Sequence, residues 1–397
     1  MNGDSSSASG IRVRLFGRTD VGQIREHNED NFLIADLTRK SRSLMEGDRE
    51  QVVAERGTVL GVCDGMGGAA AGEVASQLAV DIIYEKLSLG PSPTNHDDLA
   101  RRLVHAVEEA GGRIFGEARA DRTRRGMGTT ATIAALLDAR LFVAQVGDSR
   151  AYILRRDKFV QVSRDQSLVN QLIEAGQLTE EEAETFEHNN IILQALGTAE
   201  TVQVDLTYVD LRKGDTLLVC SDGLSGMVRA DEMREVLLTF REPFDACKEL
   251  VDRANRAGGH DNITVIVAVF DGNLAEHGPQ DDALAYQKYA LPEAPAESTV
   301  RAPSVHPADV YTPPPSQEAQ RESRRLRVGH TMVGMTSPLA GTPVAAAGGR
   351  VSGAPPNFSM EDDPVSIPTT GLPPSLVGMM VLGAMLFVAI AGFLLLR

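Results

Sequence analysis

The sequence predicts an α+β domain built on antiparallel strands, and three observations carry that expectation. Apolar runs of strand length recur through residues 11–271, with helix-period segments between them. Near the middle, consecutive strands are joined by short polar links, which implies antiparallel pairing rather than a doubly wound sheet. The end of the domain is marked by composition: of 19 prolines, 16 lie after residue 272.

The strand-like runs are 11–16, 31–35, 58–63, 130–137, 141–146, 151–154, 202–209, 216–220 and 263–270. Several are apolar throughout, as expected for strands covered on both faces. Asp138-Ala139-Arg140 and Arg156-Asp157-Lys158 read as hairpin connections. Helical patterns fall at 72–87, 97–118, 167–175, 179–184, 231–238 and 244–256. In the second of these, Leu99, Leu103, Val107, Ala110 and Ile114 recur every three or four residues. Residues 38–57 are polar and read as an extended loop.

Residues 273–374 are rich in Pro, Ala, Ser, Gly and Thr, with few large apolar side chains. Such a segment cannot offset its chain entropy by burial and is expected to be a disordered tether. Residues 376–396 form 21 residues without a charge. As a helix they span about 30 Å, the thickness of a bilayer core, and read as a single C-terminal transmembrane anchor. Residues 1–14 contain no apolar segment of secretory type, so residues 11–271 are expected on the cytoplasmic side of the plasma membrane.

The chain carries a formal net charge of −16. Its first 271 residues hold 44 acidic and 31 basic residues, a net charge of −13, which argues against a nucleic-acid-binding surface. Cys63, Cys220 and Cys247 do not make a disulfide framework and read as small buried strand residues.

Three aspartates, Asp64, Asp222 and Asp261, each close an apolar run and are followed by Gly or Asn. Carboxylates brought to strand ends from distant parts of a chain suit hard cations, Mg²⁺ or Mn²⁺ rather than zinc. Such clusters most often serve phosphate hydrolysis or transfer. Around them stand Arg25 with Asn28-Glu29-Asp30, Gly128-Thr129-Thr130, and Gly147-Asp148-Ser149-Arg150. In this order, over residues 11–271, the strings resemble the metal-dependent protein serine/threonine phosphatase family, type 2C, in its bacterial form.

The resemblance implies a sandwich of two antiparallel sheets flanked by helices (α-β-β-α), with a two-metal cleft at one edge. By matching position, Asp64 bridges two Mn²⁺ or Mg²⁺ ions and the Gly65 carbonyl binds one of them. Asp222 and Asp261 match ligands of the other ion. Glu29 and Asp30 match acids that hold metal-bound water or its neighbours. Asp148, with Asp222, matches a third metal site, and Arg25 matches the phosphate-gripping arginine. Hydrolysis is then direct, by metal-activated water, on phosphoproteins that are substrates of bacterial Ser/Thr kinases. Two alternatives share the fold: a phosphatase of anti-sigma-antagonist regulators, and a silent phosphoprotein-binding scaffold. Met66 stands where animal members have a histidine, so leaving-group protonation must come from water or another group. The helical pair 167–184 matches the flap over the bacterial cleft. Bacterial relatives often read Asp-His-Ser where this chain has Asp165-Gln166-Ser167.

Overall fold

The computed structural model describes residues 10–42, 49–67, 71–183, 186, 190–278 and 284–292. Thirteen strands form two antiparallel sheets among these residues. The strands are β1 (Ile11–Asp20), β2 (Asp30–Asp36), β3 (Ser41–Arg42), β4 (Glu50–Val52), β5 (Thr58–Met66), β6 (Gly128–Thr129) and β7 (Ala131–Leu137). They continue with β8 (Arg140–Val146), β9 (Arg150–Arg155), β10 (Lys158–Gln161), β11 (Asp205–Asp210), β12 (Thr216–Cys220) and β13 (Ile263–Gly272). One sheet is ordered β10-β9-β12-β13-β1-β4. The other is β11-β8-β7-β5-β2-β3, with β6 continuing against β5.

Side-chain alternation explains why the two sheets stack. On β13, Ile266, Ala268 and Phe270 face the core between the sheets, while Ile263, Val265 and Val267 face the helices outside. On β8, Leu141 and Val143 point between the sheets, and Phe142, Ala144 and Val146 point the other way. Both faces of each central strand are therefore covered, which is why these runs are apolar throughout.

Helices α1 (Ala71–Ser88) and α2 (His96–Ala120) cover one sheet, and α6 (Ala230–Thr239) and α7 (Pro243–Arg256) cover the other. This is the α-β-β-α sandwich that the resemblance implied. Asn95 caps α2, its side chain accepting the Asp98 N–H, and Pro243 opens α7 at a position where no N–H is needed. Between β10 and β11 the flap region holds α3 (Leu168–Glu174) and α4 (Glu180–Ala183).

Four details depart from the sequence expectation. The polar stretch 38–57 contains β3 and β4, strands of two and three residues too short to show alternation. Lys158, read as part of a turn, begins β10. A one-turn helix, α5 (Asp222–Ser225), follows β12 and is too short to leave a periodic signal. The fourth lies in the stretch read as tether, where residues 284–292 lie against the domain. The Tyr208 N–H donates to the Gln287 carbonyl at 3.1 Å, and the Tyr289 N–H to Leu206 at 2.7 Å, so this strap pairs along β11. Tyr289 stands edge-on to Phe142 and Tyr208, and its hydroxyl donates to Asp97 at the start of α2.

Among the described residues no helix is long and apolar enough to cross a membrane. The run 376–396 lies outside them, as does the remainder of the expected tether from 293 onward.

Candidate metal centre

Asp64 on β5 stands directly across from Asp30 on β2 in the strand register. Asp222 opens α5 just after β12. Asp261 does not close a strand, as the sequence suggested, but precedes β13 by two residues. Asp148 lies in the turn between β8 and β9. Both sheets thus contribute acids to one place.

Two glycines allow the backbone to close in there. A Cβ on Gly65 would lie 2.2 Å from the Gly72 carbonyl oxygen and 2.5 Å from that of Glu29. On Gly223 it would meet the Asn262 carbonyl oxygen at 2.0 Å. Any side chain at either position would push the acids apart.

The electrostatics show how closely these acids are gathered. Burial, with the charges of Asp222 and Asp261, pushes the Asp30 carboxyl up to about 8. Burial, with Asp222 and Asp165, pushes Asp148 up to about 7. Asp64 is raised well above the carboxylate range by burial and by Asp30 and Asp222, and Asp222 is raised by burial and Asp261. Glu29, also raised by burial, lies within the field of Arg25 and Asp261. So many carboxylates cannot all ionise side by side without a positive charge among them.

Partnering points the same way. One oxygen each of Asp30, Asp148 and Asp222 is buried without a hydrogen-bond partner. Buried carboxylate oxygens are normally paired or bound to metal, so this donor set fits oxygen-seeking divalent cations. Among the described residues no three His, Cys, Asp or Glu side chains already converge as an ion cage. Asp64 and Asp222 lie close enough to perturb each other's ionisation, and Arg25 Nη2 donates to Asp261 Oδ2 at 2.7 Å. A phosphate can compete with Asp261 for that guanidinium.

The family model described as protein phosphatase 2C matches residues 40–272 of this chain. The chain belongs to the protein phosphatase 2C family. The serine/threonine phosphatase stp of Listeria innocua is 35% identical over 261 residues, 66% of this chain and 96% of that protein. Protein phosphatase PhpP of Streptococcus pneumoniae is 36% identical over 259 residues, 65% of this chain and 98% of its own. Among solved structures, the catalytic domain of the phosphatase PstP in complex with two manganese ions is similar with a TM-score of 0.54. It is 33% identical, and the match covers 66% of this chain and 99% of that one.

In this protein phosphatase 2C domain, Arg25, Glu29 and Asp30 lie before the stretch matched by the family model, yet the fold brings them to the same acids. The clamp that does so is Asn262, which in the sequence is marked only by following Asp261. Its Oδ1 accepts the Glu29 N–H at 2.8 Å, and its Nδ2 donates to the carbonyls of Val21 and His27 at 3.0 and 2.9 Å. Ser221, also unremarked, donates from Oγ to Asp30 Oδ2 at 2.8 Å. Thr130, seen earlier only as part of a motif, accepts the Asp64 N–H at 2.9 Å. Each adjoins a predicted acid or motif in sequence, and that adjacency was the available signal.

A cavity of about 350 Å³ lies beside the flap, lined by residues that include Arg164, Asp165, Gln166, Leu193, Asp205 and Lys288. None of the predicted site residues lines it. Cys63, Cys220 and Cys247 are buried free thiols, and burial raises each well above the usual thiol range. They therefore lack the thiolate character that reactive cysteines need.

Proposed function

We propose that this chain hydrolyses phosphoserine and phosphothreonine in proteins, using two divalent cations, Mn²⁺ or Mg²⁺, with a third site at Asp148. The observation that carries the proposal is the set of buried, unpartnered oxygens on Asp30, Asp148 and Asp222 within one acidic cluster. Family membership supports the same chemistry. Asp64 and the Gly65 carbonyl would hold ions from β5, with Asp222 and Asp261 holding them from the opposite sheet. Glu29 and Asp30 would hold water near them. When bound, the ions neutralise the phosphate and lower the pKa of water from about 16 towards neutrality.

Arg25 has a planar donor fork matched to phosphate oxygens, and Asp261 holds it through one nitrogen. Moving that fork to the substrate orients the phosphate and stabilises the charge that develops on it. Met66 has no proton to give, so the departing serine or threonine oxygen takes its proton from solvent or from another group.

We further read the substrates as targets of bacterial Ser/Thr kinases, and the uncharged run 376–396 as an anchor placing the domain at the cytoplasmic face of the plasma membrane. The deciding experiment is hydrolysis of a phosphothreonine peptide with Mn²⁺. Asp222→Ala is expected to abolish turnover while leaving a folded protein. Turnover at the wild-type rate in that variant overturns the proposal.

A further inference from the structure

The turn that carries Asp148 is gripped on both sides by two consecutive residues at the root of the flap. On one side Gln166 and Gly147 bond reciprocally. The Gly147 N–H donates to Gln166 Oε1 at 3.0 Å, and the Gln166 N–H donates to the Gly147 carbonyl at 2.8 Å. On the other side Arg150 Nε donates to Asp165 Oδ2 at 2.7 Å.

The far root of the flap meets the same side chain. Gln194 Nε2 donates to Gln166 Oε1 at 3.0 Å, and the Leu193 N–H donates to the Gln166 carbonyl at 2.8 Å. Gln166 Nε2 completes the node with contacts to the carbonyls of Gln145 and Gln203 at 3.4 and 3.3 Å. A primary amide is suited to this place, because one short side chain offers an oxygen with two lone pairs beside two N–H donors.

We propose that Gln166 is a positioning residue for the cation site at Asp148, locking that carboxylate to both roots of the flap. The proposal rests on the phosphatase reading only in taking Asp148 as a cation ligand. Asp148 Oδ1 is buried without a partner, so where that oxygen sits depends on how the turn beneath it is held. Gln166 holds the Gly147 backbone on one side of it, and Asp165 holds the Arg150 side chain on the other. Outer partners of this kind typically change metal affinity by about ten- to a hundredfold. Ion occupancy at Asp148 and the pose of the flap roots are then linked, each favouring the other.

The test is calorimetric titration of Mn²⁺ into the full-length, chelator-stripped protein, with phosphothreonine-peptide turnover followed in parallel. Asp148→Asn identifies which binding step belongs to Asp148. Gln166→Ala is expected to weaken that step by about tenfold or more and to leave the tighter steps unchanged. The Mn²⁺ concentration for half-maximal turnover rises, while turnover at saturating Mn²⁺ recovers. Gln166→Glu keeps an acceptor oxygen for the Gly147 N–H but loses the donors to the Gln145 and Gln203 carbonyls, and is expected to bind between the alanine variant and the wild type. Gln166→Asn withdraws the amide by one methylene and is expected to weaken the same step, which supplies the reading if the alanine variant does not fold.

An unchanged isotherm in the folded alanine or asparagine variant overturns the proposal. Equal weakening of every step does so too, as does a glutamate variant no better than alanine. Normal ion binding in a wild-type protein that hydrolyses no phosphopeptide overturns the phosphatase reading instead, and leaves the positioning role standing.

Discussion

Asp30, Asp148 and Asp222 combine burial with an unpartnered oxygen, and in the metal-free protein that combination makes their ionisation costly. The sign of the pH effect follows. Folded Asp148 and Asp30 are raised to about 7 and about 8 from an ordinary value of 3.8, so the folded state holds their protons more tightly than the unfolded chain. Their contribution to stability is complete below 3.8 and is lost as pH rises through those folded values. Protein treated with chelator is therefore expected to melt at a lower temperature at pH 8 than at pH 5.5. Mn²⁺ should raise the melting temperature most at the higher pH, and Asp30→Asn should flatten the difference. Melting that is independent of pH in the chelated wild type would contradict this. At Arg25, lysine retains the charge but loses the fork. We expect Arg25→Lys to lower kcat/KM on a phosphothreonine peptide by about a hundredfold, with Mn²⁺ affinity within a few-fold of wild type. Unaltered kcat/KM would exclude the phosphate-gripping role.

Among the elements, loop 21–29 and the strap show what one sequence could and could not reveal. Asp64, Asp222 and Asp148 were legible because each sits beside glycine next to an apolar run, where backbone constraint leaves a residue signature. Asn262 was not, because its three hydrogen bonds join segments more than 230 residues apart. We expect Asn262→Ala to cost about 2–3 kcal/mol by leaving buried backbone groups unpaired, and to weaken Mn²⁺ binding by displacing Glu29. Urea melts and a Mn²⁺ titration would measure the two effects separately. Central strands such as β7 and β8 were readable from continuous apolar runs, whereas β3, β4 and α5 are shorter than the period that would mark them. The strap was missed for another reason. It lies in a stretch whose average composition is that of a linker, and a few aromatic anchors hardly change that average. Tyr289→Ala removes ring contacts with Phe142 and Tyr208 and the hydrogen bond to Asp97, for an expected loss of about 2 kcal/mol on thermal or urea unfolding. A stability equal to wild type would show that the strap is held without it.

For the molecule as a whole, chemistry and location are expected to be separable. Cutting the chain after residue 292 retains every described element, and turnover of a soluble phosphopeptide should be unchanged. The same cut removes the uncharged run 376–396, so the protein should pass from the membrane fraction to the supernatant of lysed cells. Retention of the truncated chain in the membrane pellet would refute the anchor. A cut before residue 284 has a different consequence, which follows from where the strap lies. The two sheets have four edges among the described residues. Three are strands of four, three and two residues, β10, β4 and β3. The fourth, β11, has six residues and is the edge that the strap covers. An open edge of that length offers unpaired N–H and C=O groups to any other extended chain. The strap is then a built-in guard against aggregation: proteolysis that strips it away leaves the β11 edge open to strands from neighbouring chains.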